Sequence, residues 1–142
     1  MIVPSLASAL TVTTHCRVSA AGGRPDFGEA FPTVRALIDE FGEPGFADRV
    51  MSAAPEETDW RPLSDLLGIA IWLTSDNGHE ITQTARRWLQ AHSDQRKVLV
   101  ALNLDVIPVD ATEIGLLQEV AERFPTAEGA CRELIAQLAA GR

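Results

Sequence analysis

Leu66-Leu67-Gly68-Ile69-Ala70-Ile71-Trp72-Leu73-Thr74 contains the longest uninterrupted apolar run of the chain, and its reading decides the fold. Odd and even positions are equally apolar, so the run has no wet face at a period of two. Ile69, Ile71 and Trp72 favour strands, and the stretch predicts a strand buried on both faces. A buried helix fits the same residues, because periodicity does not separate the two in so short a run. The run is far too short to cross a membrane.

Moving outward, Asn77 to Ala91 predicts a helix. Asn77 is a good N-cap, Glu80 stands three positions on as its capping-box partner, and Ile81, Ala85, Trp88 and Leu89 form one stripe. Lys97 to Leu104 reads Lys-Val-Leu-Val-Ala-Leu-Asn-Leu and predicts a second buried strand. Strand, helix and strand together make a β-α-β unit, right-handed if the strands are parallel neighbours. Upstream, Leu10, Val12, Thr14, Cys16 and Val18 share one parity in a β-branched segment and predict a further strand over 10–18.

Ala20 to Pro25, with Gly22, Gly23 and Pro25, reads as a loop. Val34, Leu37, Ile38 and Phe41 fall on one face of a helix over 33–41, which Gly42 caps; Asp26 with Glu29 allows an earlier start. Phe46 to Ala53 reads as a short helix or as a strand around Arg49-Val50-Met51. Pro55 to Pro62 is an acidic loop. Asp110 with Glu113 opens one C-terminal helix and Thr126 the last.

These elements predict an α+β fold. Its centre is a ferredoxin-like or related sheet of about four strands with helices on one face. One domain covers residues 1–142, with a sheet-containing core over 1–108 and a C-terminal helical pair over 109–142.

Composition narrows the function. The 142 residues carry 12 Lys plus Arg against 20 Asp plus Glu, a formal charge of −8. Bulk charge therefore opposes binding to nucleic acid or anionic lipid. Cys16 and Cys131 are the only cysteines and read as two buried thiols of a reducing cytoplasm. No Lys or Arg precedes Arg17, so the N-terminus lacks the charged region of a signal peptide, and a cytoplasmic location is expected.

Catalytic patterns are fragmentary. Ser75-Asp76-Asn77 lacks a Ser-x-x-Lys nucleophile. His79-Glu80 begins a zinc motif, but Gln83 stands where its second histidine belongs. His15, His79 and His92 have no ligand at metal spacing, and Gly22-Gly23 belongs to no phosphate-binding pattern. Asp105, just past the end of a predicted strand, is where α/β sheets place ligands. Arg86, Arg87, Arg96 and Lys97 against Asp94 make a basic segment that reads as a solvated helix face or as a surface for an acidic partner. No cofactor, metal or catalytic residue is expected.

The distinctive segment is the acidic loop. Glu56, Glu57, Asp59, Trp60 and Arg61 lie between two prolines and suit an interface anchor with a charged rim. Trp60 folded back over the core is the alternative.

Arg49-Val50, Ala54-Pro55-Glu56, Leu63-Ser64-Asp65-Leu66, Ile69-Ala70-Ile71, Trp88-Leu89 and Val98-Leu99-Val100 follow one another in an order and spacing that carry a resemblance. Over residues 34–101 the chain resembles the effector-associated constant component family of bacterial conflict systems. Trp60-Arg61-Pro62 stands where that family has a glycine-rich approach to its buried strand. The resemblance implies a β-α-β-β-α-β core and a non-catalytic component linking sensors and effectors.

The expected function is a protein–protein interaction module in a bacterial defence system, with an effector, sensor or toxin as partner and a possible homo-oligomer. An acidic immunity protein is the second reading. Its inhibitory face would be Asp39 to Asp59, where seven carboxylates meet one arginine. A small α/β ligand binder or enzyme using Asp105 and Ser75–Asn77 is the third.

Overall fold

In a computed structural model describing residues 2–20 and 23–141, the Leu66–Leu73 run is helix rather than strand. The described residues form eight α-helices and no strand, so the α+β expectation is overturned throughout. The helices are α1 (Pro4–Ser19), α2 (Phe31–Phe41), α3 (Phe46–Ala53), α4 (Trp60–Leu73), α5 (His79–Ala91), α6 (Gln95–Leu102), α7 (Ile114–Arg123) and α8 (Glu128–Ala140). Short 3-10 turns precede α2, α7 and α8. The predicted sheet-containing core over 1–108 consists of α1 to α6. Gly22, part of the predicted first loop, lies outside the described residues.

The central helix shows why. α4 begins at Trp60, six residues before the apolar run, and Pro62 is tolerated there because first-turn N–H groups have no helical acceptor. Counted from Leu63, the buried positions Leu63, Leu66, Leu67, Ala70 and Ile71 fall at i, i+3, i+4, i+7 and i+8. That is a helical stripe. α4 packs against α1, α2, α5 and α6 and is therefore apolar nearly all round. The buried hydroxyl of Ser64 donates to the carbonyl of Val100 at 3.0 Å, fastening α4 to α6 and satisfying a polar group in the core.

The other two predicted strands fail for related reasons. In α1 the buried positions are Leu6, Ala9, Leu10, Thr13 and Cys16, a helical spacing that overrides the β-branched composition. Pro4 starts the helix, and Thr13 donates its hydroxyl to the Ala9 carbonyl at 2.6 Å. In α6, Asp94 caps the first turn by accepting from the Lys97 N–H at 3.2 Å. Every residue from Val98 to Leu102 is buried, which removes any period. The ambiguous 46–53 segment is helix α3. The β-α-β unit is thus three consecutive helices.

Other expectations hold. Gly42 caps α2 at φ +84°, and Asp110 with Glu113 forms a full capping box ahead of α7. α5 is present, but Asn77 is not its cap. Asn77 sits in a tight turn at φ 58°, and Asp76 instead accepts from the N–H groups of Gly78 and Glu80 at 3.1 and 2.9 Å. The Glu80 carboxylate reaches across to the Gly45 N–H at 2.5 Å.

The cations of the 86–97 segment are turned inward or paired. Arg96 donates to the carbonyls of Met51, Ala54, Pro55 and Thr58, closing the end of α3 and the loop after it. Arg86 pairs with Glu113 at 2.9 Å, and the Lys97 ammonium lies 5.8 Å from the Trp88 ring centre. Trp88 in turn donates its indole N–H to Asp48 at 2.9 Å, joining α5 to α3.

Gly78 is the tightest backbone position. Its φ is +79°, and an added Cβ would lie 2.4 Å from Cγ2 of Ile71, itself buried. Gly78→Ala is expected to cost about 3 kcal/mol, from left-handed strain plus overpacking. Gly115→Ala meets nothing within 4 Å and should leave the melting temperature unchanged or raised. Thermal unfolding of both variants checks this.

The same turn predicts an acid response. The Glu80 N–H foremost holds the Asp76 carboxyl below the ordinary aspartate range. A depressed folded value gives stability that is complete above the ordinary range and is lost as pH falls through the folded value. The wild-type melting temperature should therefore fall more steeply in acid than that of Asp76→Asn, as pH-resolved calorimetry can show.

Candidate functional site: a cleft along the central helix

Asp65, Gly68, Ile69 and Trp72 fall again at i, i+3, i+4 and i+7, on the side of α4 that runs from buried Gly68 and Ile69 out to exposed Trp72. These four line a cleft of about 630 Å³. α1 contributes Arg17 to it, the segment before α2 contributes Arg24 and Phe27, and the turn after α6 contributes Asn103 and Asp105. Phe31, at the start of α2, completes the wall. The volume is in the range of small-ligand and side-chain sites.

One ion pair organises the floor. Arg17 donates Nε and an Nη to the two oxygens of Asp65 at 2.6 and 2.7 Å, a bidentate clamp from α1 to α4. The Asp65 side chain is 11% exposed and that of Arg17 51%. The clamp raises the Arg17 pKa, burial opposes this, and the nearby charges of Asp65 and Asp105 add to the rise. The Arg17 guanidinium also lies 6.0 Å from the Phe27 ring centre.

Asp105 is different. It is exposed and makes no hydrogen bond or ion pair with any described residue. Its Oδ2 lies 4.0 Å from where a Cβ on Gly68 would stand, which places the carboxylate close beside α4. One turn further along α4, Trp72 is 64% exposed, and Phe31 is 39% exposed.

Ser64 supplies the only hydroxyl among the residues lining the cleft, and it is held by Val100. Both thiols are buried and free, and burial raises the pKa of each, that of Cys131 to about 11. No group of three metal-ligating side chains comes together among the described residues. The arrangement is suited to binding.

The residues expected at an interface lie elsewhere or are occupied. Trp60 is half-buried against the core, with the Arg61 guanidinium 4.7 Å from its ring centre. Asp59 pairs with Arg61 at 3.1 Å. Glu56 and Glu57 are exposed and have no partner among the described residues. Trp60 and Arg61 border a small hollow of about 160 Å³ that shares Arg17, Asp65 and Asn103 with the main cleft.

Asp105 and Ser75–Asn77 do not meet: Ser75 and Asp76 line a separate hollow beside Glu43. Of the seven carboxylates from Asp39 to Asp59, Glu40, Glu43, Asp48 and Asp59 bond within the fold. Sequence reasoning placed Trp72 inside a sheet and so missed it. The signal was the i, i+3, i+4, i+7 spacing of Asp65, Gly68, Ile69 and Trp72.

No helix among the described residues is long and apolar enough to cross a membrane. No family model matches the chain, and neither the curated proteins nor the solved structures contain a significant match.

Asp65→Ala should leave Arg17 without its clamp and cost about 1 kcal/mol, the half-exposed guanidinium tempering the loss. A fall in melting temperature shared by Arg17→Ala, and not deepened in the double variant, would identify the pair.

Proposed function

We propose that this chain is a non-catalytic interaction module that docks on another protein through the cleft along α4. The observation that carries it is the 64% exposure of Trp72 on a helix whose Leu63, Leu66, Leu67, Ile69 and Ile71 are all in the core. A tryptophan left in water at the mouth of a cleft, beside an exposed phenylalanine and charged groups, is the composition of an interface anchor. The link to bacterial conflict systems came from a resemblance whose expected strands at 49–50, 69–71 and 98–100 are helical here. The interaction reading stands without it, on the surface alone.

Trp72→Ala is expected to leave unfolding within about 0.5 kcal/mol of wild type and to abolish partner binding. Trp60→Ala should instead destabilise the fold by about 1–2 kcal/mol. Affinity capture from the native host, with wild type and both variants compared side by side, supplies the measurement. Partner recovery unaffected by Trp72→Ala would refute the reading.

A further inference from the structure

Resting on the docking reading above, we propose that the cleft receives an arginine side chain of the partner, with the guanidinium between Trp72 and the carboxylate of Asp105. Three carboxylates, Asp26, Asp65 and Asp105, line the cleft against two arginines. Asp65 is already neutralised by Arg17, and Asp26 accepts the Gly28 N–H at 2.9 Å. Asp105 alone among them makes no hydrogen bond or ion pair within the described residues, and it feels Arg17, already clamped on Asp65, only as a nearby charge. Covering it with an apolar group would desolvate a carboxylate that has no hydrogen bond, whereas a cationic donor would supply one, which favours a cation as occupant.

The aromatic surroundings choose which cation. Trp72 and Phe31 offer exposed ring surface in the same cleft, and a planar guanidinium can stack on a ring while its N–H fork meets a carboxylate. An ammonium brings a compact, strongly hydrated charge and gains less from such a wall. Gly68 keeps α4 slim here, so Asp105 lies close along the helix on the same cleft wall as Trp72. The cleft already contains one example of this chemistry in Arg17, clamped on Asp65 and lying over Phe27.

The test titrates the full chain with the capped tripeptide acetyl-Gly-Arg-Gly-amide. Its citrulline counterpart, in which a neutral urea replaces the guanidinium, and acetyl-Gly-Glu-Gly-amide serve as comparisons. The readouts are the NMR signals of the Trp72 indole N–H, assigned with Trp72→Phe, and of the Asp105 backbone amide.

The arginine peptide should move both signals with a dissociation constant on the order of millimolar, as befits one side chain. Citrulline, and separately Asp105→Asn, should each weaken binding by about tenfold or more at unchanged melting temperature. Equal response to citrulline, a stronger response to the glutamate peptide through Arg24, or no movement at tens of millimolar would each overturn the assignment. If the peptide fails while Trp72→Ala still abolishes partner capture, the docking site survives and the arginine is wrong. If the peptide binds while Trp72→Ala retains the partner, the cleft takes guanidinium but not the partner's arginine, and the proposal is overturned.

Discussion

The fold depends on the burial of one helix on nearly every side. α4 can be surrounded because its core stripe is unbroken from Leu63 to Ile71 and its single buried hydroxyl, that of Ser64, is satisfied by α6. A helix makes its own backbone hydrogen bonds, so it can be enclosed without neighbours supplying a ladder. A strand in the same place would need two partners, and none of the flanking segments provides one. α1, α2, α5 and α6 take their positions from this rod. The cleft runs beside the rod and ends at Trp72, the large apolar side chain of α4 left in water.

Around the rod, charge acts as fastening. Arg17 clamps α1 to α4, Arg86 ties α5 to the turn before α7, and Arg96 gathers four carbonyls at the end of α3. The arrangement draws much of the positive charge of a chain of net charge −8 into the fold itself. Its arginines close helix ends, and several of its carboxylates hold turns or indoles. Glu56 and Glu57 on one loop, and Asp105 in the cleft, are among the charges that have no hydrogen bond or ion pair within the described residues.

The helices α2 and α5 and the C-terminal pair were legible in the sequence, because each shows one apolar stripe, with Gly42 ending α2 and the Asp110–Glu113 box and Pro125 bounding α7. The centre was not. Where every side of a segment is buried, as from Val98 to Leu102, the period that marks a helix vanishes and composition alone speaks. Composition favoured strands, since Ile, Val, Thr and Trp crowd these runs. The evidence against strands lay just outside them, in Leu63 and in Asp94. The site was legible to the same degree. Asp105 was noticed for a reason that does not apply to a helical fold, whereas Trp72 was hidden inside the misread segment.

The two buried thiols stand on the first and last helices, Cys16 on α1 and Cys131 on α8, and the chain has no others. α1 rests on α2 and α4, and α8 rests mainly on α7, so the two sulfurs belong to different neighbourhoods. Burial raises the pKa of both and slows their reaction with reagents, although Cys16 also borders a surface hollow. The rate at which each is alkylated therefore clocks the local opening of its own helix. Without any label being introduced, the molecule reports separately how long its cleft-bearing end and its C-terminal end stay closed.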